Sequence, residues 1–258
     1  MKIDMHCHTS EGSIDSKVGI RRWIQLLQER GFDGMLVTDH DSYSGYRYYL
    51  DRRKYMPRGF TVLMGIEYDT KDAGHFLVIM PNHVHLRLLR FRGMSVEMLI
   101  RVIHAYGGVL GPAHPFGMRS SSAMFFKKMQ ENPDIMKEFD FLEGFNTCEL
   151  SEANLRAQEL AEAYDLPCTA GSDAHDAEYI GMAFTDFDRP IRNNNDLIRA
   201  IKEGAIIAYG GTEREFLKKH RKRYWAVTTY AFRAMNRSVG VLFHPYRQYK
   251  IQKMDIPD

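Results

Sequence analysis

Short apolar segments alternate with helical segments over roughly the first 210 residues of the chain. Residues 3–5, 33–38, 60–66, 76–80, 109–111, 140–145 and 167–170 are apolar runs typical of buried strands. Residues 18–30, 94–106, 152–164 and 196–202 are predicted helices. Strands that alternate with helices through short connections are typical of a mostly parallel sheet, open or closed into a barrel. The sequence therefore predicts the α/β fold class.

Most of these predicted strands adjoin a side chain that can bind a metal ion. The series comprises His6, His8, His40, Glu67, His75, His114, Asp173 and His175. Because barrel enzymes carry their chemistry at the C-terminal ends of the strands, we expect these side chains to meet at one mouth. Each one alone has an ordinary explanation, such as a helix N-cap for Asp173. The whole series is much harder to obtain by chance.

The pair His6 and His8 lies where the first predicted strand passes into a loop. In an extended chain, side chains two residues apart share one face, so both imidazoles project together while Cys7 points away. Two neutral imidazoles on one face can chelate a metal ion. A second such pair, His83 and His85, follows a Pro-Asn turn outside the strand pattern and is predicted to lie on the surface.

These residues occur within longer motifs that resemble one family. The motifs are Thr38-Asp39-His40-Asp41, Gly65-Ile66-Glu67, Ala113-His114-Pro115 and Gly171-Ser172-Asp173-Ala174-His175, together with the N-terminal His-x-His and His75. In this order they resemble the polymerase and histidinol phosphatase (PHP) family of metal-dependent phosphoesterases. The resemblance covers roughly residues 1–210. It implies a distorted (β/α)7 barrel with two or three divalent ions at the C-terminal ends of the strands.

The resemblance also implies a ligand set. One ion is held by His6, His8, Glu67 and Asp173; a second by Glu67, His75 and His114; a third by His40 and His175. The third ion usually has one further ligand, commonly an Asp or His in a Ser-Asp-Gly setting. The matching stretch here is Ser10-Glu11-Gly12, so Glu11 is the expected ligand and Asp15 the alternative. A mixed histidine and carboxylate set suits Zn, Mn or Fe.

Such a centre has a definite chemistry. Neighbouring ions polarise a phosphoryl oxygen, turn bound water into hydroxide near neutral pH and stabilise the leaving oxygen. Asp39 and Asp41 are expected to orient His40, with turn capping as the alternative. Arg119, four residues past Pro115, is expected to grip a phosphate bidentately, unless it is a solvated loop arginine.

Charge distribution and cysteine content bear on the domain organisation and the cellular location of the protein. Residues 213–258 contain eleven Lys/Arg and four Asp/Glu, a net charge of +7, whereas residues 1–212 carry −5. We therefore divide the chain into a catalytic barrel over 1–212 and a basic helical extension over 213–258. Three cysteines without framework spacing, no signal-peptide pattern and no apolar run long enough to cross a membrane predict a reduced, cytoplasmic protein.

The leading hypothesis is a hydrolase of a small phosphomonoester, such as a nucleotide or a histidinol-phosphate-like compound. A nuclease or DNA-end phosphatase is the alternative within enzymes, and only the basic extension favours it. A non-catalytic metal-binding module is the alternative outside enzymes, although a purely structural site needs fewer ligands and no open position. The substrate and the oligomeric state are left open by the sequence.

Overall fold

The computed structural model describes residues 1–117 and 121–215. The chain divides into two units, Met1–Arg214 and Glu215–Asp258. Arg119 and residues 216–258 of the predicted extension therefore lie outside the described residues, and the domain boundary near residue 212 stays a prediction. The fold below is that of the first unit.

In the described part of this unit, nine strands build the sheets. They are β1 Lys2–Cys7, β2 Gly34–Val37, β3 Thr61–Asp69, β4 His75–Ile79, β5 Val109–Pro112, β6 Leu142–Asn146, β7 Cys168–Gly171, β8 Ala183–Phe187 and β9 Ile206–Gly211. One sheet has the order β5-β4-β3-β2-β1-β8-β9, and β6 pairs with β7. Each of the seven apolar runs singled out in the sequence overlaps one of these strands.

The pair of β6 and β7 closes the larger sheet into a barrel. The backbone N–H of Asp140, just before β6, donates to the carbonyl of Leu110 on β5 at 3.0 Å, and the N–H of Asp173, just after β7, donates to His6 on β1 at 2.9 Å. Strands β1 to β7 thus follow one another around a ring. This arrangement confirms the predicted α/β class and the distorted seven-stranded barrel.

The prediction of a mostly parallel sheet holds only in part. β1, β2 and β3 are parallel to one another, and β6 is parallel to β7. β4 runs antiparallel to both β3 and β5, and β8 runs antiparallel to β1. The turn at Asp72-Ala73-Gly74 explains the first reversal, because it is too short for a parallel crossover and makes β3 and β4 a hairpin.

Within residues 1–117 and 121–215, six α-helices cover the strands. They are α1 Ile20–Glu29, α2 Ser44–Asp51, α3 Val96–Ala105, α4 Lys127–Glu131, α5 Ser151–Ala163 and α6 Asn194–Lys202. Local sequence fixes several ends: the Ser95 hydroxyl accepts from the N–H of Met98 to cap α3, and Asn193 caps α6 in the same way. None of the helices among the described residues is both long and apolar enough to cross a membrane.

Alternate strand residues form the core inside the barrel. Ile3, Leu36, Leu63 and Leu77, from four neighbouring strands, share one buried cluster with the inward face of α6. The period of two along each strand places these side chains on one face. Polar side chains are therefore displaced to the ends of the strands, where they surround Glu67.

Candidate metal centre

Glu67, near the end of β3, lies at the middle of the polar cluster. Its side chain is 1% exposed and faces imidazoles through both carboxylate oxygens. Oε1 lies 2.7 Å from Nδ1 of His75 and 3.0 Å from Nε2 of His114. Oε2 lies 2.9 Å from Nδ1 of His40, 3.3 Å from Nε2 of His8 and 3.5 Å from Nε2 of His6. One carboxylate thus joins imidazoles from several strands and loops.

His6, His8 and Asp173 form the most buried part of the cluster. The Nε2 atoms of His6 and His8 are 3.1 Å apart, and Nε2 of His8 lies 3.2 Å from Oδ1 of Asp173. β7 passes very close to β1 here, since a Cβ at Gly171 would lie 2.1 Å from the Cβ of His6. Only glycine permits this approach.

His40 and His175 meet on the outer side of the cluster. Their Nε2 atoms lie 3.4 and 3.3 Å from Oδ2 of Asp15. Glu11 instead accepts the backbone N–H of Ile20, the first residue of α1, with both oxygens at 3.1 Å. The structure therefore brings Asp15 to the two imidazoles and leaves Glu11 as a cap of the helix N-terminus.

Four of the imidazoles are held at Nδ1 so that Nε2 faces the centre. The partners are Glu143 for His6 at 2.8 Å, the hydroxyl of Ser13 for His8 at 3.1 Å, the hydroxyl of Ser122 for His114 at 3.2 Å, and the carbonyl of Asp173 for His175 at 3.0 Å. A neutral imidazole that donates through Nδ1 presents a lone pair at Nε2. Contacts of this kind fix ring orientation at metal sites.

The backbone is strained at three positions around the cluster. Asp41, His114 and Asp173 have φ values of 45°, 31° and 48°, in the left-handed region that residues other than glycine rarely adopt. Such strain costs about 1–3 kcal/mol per residue and persists where the surrounding structure enforces it. Two of these residues are predicted ligands and the third follows His40, so the strain is concentrated where the strands end.

Asp39 organises the loop that carries His8. It is fully buried and accepts the backbone N–H of Thr9 at 2.6 Å, the Thr9 hydroxyl at 2.8 Å and the Ser13 hydroxyl at 3.0 Å. Burial raises the pKa of Asp39 to about 7. Ser13 also receives the backbone N–H of His40 at 3.1 Å. Asp39 is therefore linked to His40 through Ser13, which contacts the backbone N–H of His40.

Asp41 likewise has partners other than the imidazole of His40. Its Oδ1 accepts the backbone N–H of Asp69 at 3.0 Å, and its Oδ2 pairs with Arg92 at 2.7 Å. Burial raises the pKa of Asp41, while Arg92 lowers it and only partly compensates. Arg92 also lies 3.5 Å from Asp69. The role of Asp41 is thus to link the loop after β2 to the end of β3.

One side of the cluster is open to solvent. The side chains of His6, His8, Glu67 and Asp173 are at most 1% exposed, whereas those of His40, His75 and His175 are 22%, 16% and 19% exposed. A ligand approaching from solvent would meet the second group first. The first group therefore forms the buried floor of a pocket, and the second group forms its solvent-accessible rim. A structural metal site, in contrast, is fully enclosed.

Histidines and carboxylates strongly influence one another's protonation here. Burial by itself raises the pKa of Glu67, but His75, His40 and His6 outweigh it and hold the pKa well below its usual range. Burial lowers the pKa of His40, yet Glu67 and Asp15 raise it well above the usual value. His8 has the opposite balance, because burial and the neighbouring His175 and His40 lower its pKa. The cluster thus concentrates both charge signs in a small buried volume.

The donor atoms fit divalent cations. Oε2 of Glu67 is buried and accepts no hydrogen bond from any residue that the structure describes, although three imidazole nitrogens surround it. Ligand atoms lie within 4.8 Å of one another in three groups: His8, His40 and His175; His6, His8 and Glu67; His40, Glu67 and His75. A mixed imidazole and carboxylate set of this kind suits Zn, Mn or Fe.

Glu143 is the main functional residue that the sequence reasoning missed. It lies inside β6, is 1% exposed, and contacts His6, His114 and Asn146. The available signal was an acidic residue within an apolar strand, since buried carboxylates are almost always paired. Asn146, the last residue of β6, lies beside it, with Nδ2 3.1 Å from Glu143 and 3.4 Å from Asp173.

Comparison with known proteins identifies related sequences. Residues 4–166 match the family profile described as "PHP domain", and residues 151–206 match the profile described as "PHP-associated". An uncharacterized protein of Methanocaldococcus jannaschii is 34% identical over 92 residues, which are 35% of this chain and 38% of that protein. This chain thus matches well under half of the length of that relative.

Solved structures share the fold at low sequence identity. PsfC from Pseudomonas syringae has a TM-score of 0.61 and 19% identity, over 96% of this chain and 98% of that one. A candidate metal-dependent phosphoesterase from Bifidobacterium adolescentis has a TM-score of 0.56 and 15% identity, over 77% and 95%. Endonuclease Q, in complex with a 27-mer duplex containing an abasic lesion, has a TM-score of 0.62 and 18% identity, over 82% and 60%. At these identities the likeness establishes the fold alone.

Proposed function

Because the chain belongs to the PHP family of metal-dependent phosphoesterases, we propose that it hydrolyses a small phosphomonoester at the centre around Glu67. The observation that carries the proposal is the position of this carboxylate between two sets of imidazoles. Oε1 faces His75 and His114, while Oε2 faces His40, His8 and His6. A carboxylate that faces two groups of ligands in this way is suited to bridge two cations.

The proposed ligand groups follow these contacts. His6, His8, Glu67 and Asp173 hold one ion, and Glu67, His75 and His114 hold a second. For a third ion, we propose His40, His175 and Asp15, in place of the Glu11 that the sequence favoured. The distances from Asp15 to both imidazoles, 3.4 and 3.3 Å, support this exchange.

Two or three divalent ions at these ligands would supply Lewis acidity toward a phosphoryl oxygen and would lower the pKa of water to near neutral. The residues of the chain set the geometry for that chemistry. Glu143, Ser13 and Ser122 hold imidazoles in fixed orientations, which removes reorganisation at the moment of reaction. His40, His75 and His175 form the solvent-accessible rim, and a phosphate ester can enter from this side.

Activity and metal content together test the proposal. The full chain, loaded with Mn, Zn or Fe, is expected to hydrolyse p-nitrophenyl phosphate, with two or three ions per chain by elemental analysis. Glu67→Gln should lower kcat/KM by about 10³-fold, because several kcal/mol of charge stabilisation depend on the bridging carboxylate. His83→Gln is the matched control, since His83 is an exposed histidine outside the cluster.

Two results would contradict this function. If the loaded protein hydrolyses no phosphate ester while chelation lowers its melting temperature, the centre is a non-catalytic metal-binding module. If Glu67→Gln retains both its activity and its metal content, the bridging role is wrong.

A nuclease or DNA-end phosphatase is the second candidate. The shared fold with endonuclease Q, whose structure contains a DNA duplex, supports it, as does the net charge of +7 over residues 213–258. If it applies, oligonucleotide binding should weaken steeply with salt. Salt-independent binding, or no change on deleting residues 216–258, would exclude it.

A further inference from the structure

A cavity of about 370 Å³ lies between α2 and residues 85–90. Among the described residues that line it, three are arginines, Arg47, Arg87 and Arg90, and one is a carboxylate, Asp51. Leu50 and Leu86 contribute apolar wall. Cavities of this size that combine apolar walls with a few converging polar groups are typical of small-molecule sites.

Two of the three arginines, Arg47 and Arg87, have no carboxylate partner among the residues that the structure describes. Arg90 lies close enough to both for their charges to act on it, because burial, then Arg47 and Arg87, lower its pKa. Burial and Arg47 also lower the pKa of His85, so this imidazole adds little positive charge near neutral pH. An oxyanion between the guanidinium groups would relieve their mutual repulsion and could be bound bidentately.

The chain connects this cavity to the metal centre on both sides. Tyr43, which lines the cavity, is three residues from His40, so their Cα atoms can be no more than about 11 Å apart. On the other side, Arg92 follows Arg90 by two residues and pairs with Asp41, the neighbour of His40, at 2.7 Å. The cavity and the metal centre are therefore separated by no more than the span of a ligand of modest length.

We propose that this cavity, with Arg47, Arg87 and Arg90, binds a second anionic group of the substrate, remote from the phosphate that is hydrolysed. This inference rests on the proposed phosphoesterase function and narrows its substrate class to small phosphomonoesters with a further phosphate or carboxylate. The concave shape and limited volume favour a small ligand over a nucleic-acid strand, which would need an extended basic track.

The existence of the anion site is tested without reference to activity. In the zinc-loaded full chain, the side-chain Nε–Hε NMR signals of Arg47, Arg87 and Arg90 are followed during titration with inorganic phosphate. We expect saturable shifts of these three signals and none for Arg22, an exposed arginine on α1 that pairs with Glu29. In the variant Arg47→Gln/Arg87→Gln, the Arg90 signal should saturate at about tenfold higher phosphate, because two charge-assisted contacts are lost. Equal responses of all four arginines would overturn the site.

The link to the substrate is tested by a matched pair of ligands. Fructose 1,6-bisphosphate and fructose 6-phosphate, which differ by one phosphate, are compared as competitive inhibitors of p-nitrophenyl phosphate hydrolysis. The bisphosphate should inhibit at about tenfold lower concentration, and Arg47→Gln/Arg87→Gln should abolish this preference while Arg22→Gln preserves it. A preference that is absent in the unmodified protein, or unchanged in the double variant, would overturn the substrate assignment.

The phosphate titration and the inhibition assay distinguish a failure of the anion site from a failure of the proposed function. A protein that hydrolyses no phosphate ester contradicts the proposed function, whereas the phosphate titration still decides whether the anion site exists. If a single-stranded oligonucleotide shifts the three arginine signals at lower concentration than phosphate, and the sugar phosphates show no preference, the small-ligand assignment is wrong.

Discussion

Oε1 of Glu143 lies 2.8 Å from Nδ1 of His6, while Oε2 of the same carboxylate accepts the backbone N–H of His114 at 2.6 Å. One buried side chain on β6 therefore holds two proposed ligands that belong to different ions. A further contact at Oε2 comes from the amide of Asn146 at 3.1 Å. Each oxygen of Glu143 receives at least one donor, so both oxygens are required as acceptors.

Glu143→Gln should weaken metal binding. Glutamine has only one side-chain oxygen, so its NH2 group would lie against a donor, either Nδ1 of His6 or the backbone N–H of His114. The hydrogen bond to that donor would be lost, and the ligand would no longer be held in place. Loss of such an outer contact typically costs 10–100-fold in metal affinity. The measurement is competition with a zinc chelator at fixed pH. Glu159→Gln, on the exposed side of α5, is the control and should leave the affinity unchanged; an equal affinity for Glu143→Gln would show that Glu143 does not position the ligands.

Asp15 and Glu11 should separate metal binding from helix capping. Asp15→Asn removes the carboxylate that faces His40 and His175, so the variant should lose about one ion per chain. Glu11→Gln should retain the ions. It should lose about 0.3–1 kcal/mol of unfolding free energy, because the glutamine oxygen still accepts the N–H of Ile20 but the negative charge at the N-terminus of α1 is lost.

Elemental analysis and chemical denaturation of both variants check this prediction. The number of bound ions should fall in Asp15→Asn, whereas Glu11→Gln should change only its free energy of unfolding. If Glu11→Gln loses an ion and Asp15→Asn does not, the family position that the sequence favoured is the correct ligand, and the contact with Ile20 is incidental.

The sequence could predict most of the centre because strand ends are visible in it. The period of two along β1 predicts that His6 and His8 share a face, and the barrel brings the ends of β1, β2, β3 and β5 together. The choice between Glu11 and Asp15 could not be made, because it depends on how the loop after β1 packs on the first turn of α1. Glu143 was missed because its partners come from β1 and from the loop after β5, which are distant in sequence.

The antiparallel direction of β4 was not predicted, for a different reason. An apolar run such as residues 76–80 predicts a strand but carries no information on its direction. The three-residue turn before it, 72–74, is too short for a crossover and would have predicted the hairpin. His75 reaches Glu67 across this hairpin, so the same turn that breaks the parallel pattern also supplies a proposed ligand.

Asp39 should make the stability of the metal-free protein fall as pH rises. Burial raises the pKa of Asp39 from its ordinary value of 3.8 to about 7, so between these pH values the folded state holds a proton that the unfolded state has lost. The contribution of Asp39 to the free energy of unfolding is therefore fully present below about pH 4 and is lost as pH rises through 7. The pKa difference between the folded and unfolded states corresponds to about 4 kcal/mol of unfolding free energy.

Urea unfolding in chelator at pH 5 and pH 8 measures this effect. Asp39→Asn should be less sensitive to pH than the unmodified protein, whereas Asp134→Asn, at an exposed position, should not change the pH dependence. A pH dependence that is the same in Asp39→Asn would show that Asp39 is ionised in both states.

Metal binding should release protons and become tighter as pH rises from 6 to 8. Without ions, burial lowers the pKa of His6 but Glu143, Asp173 and Glu67 outweigh it, and Glu67 and Asp15 do the same at His40; both imidazoles therefore have a pKa well above the usual value. They must lose their protons before they can bind a metal ion.

Calorimetric titration of zinc at pH 7 in two buffers of different ionisation enthalpy gives the number of protons released. We expect at least one per chain, and the melting temperature should rise on loading because ligands of the folded state stabilise it, by about 2.7 kcal/mol per ion at 100 times Kd. Zinc binding without proton release would show that the imidazoles are already neutral, and the electrostatic account of the cluster would then be wrong.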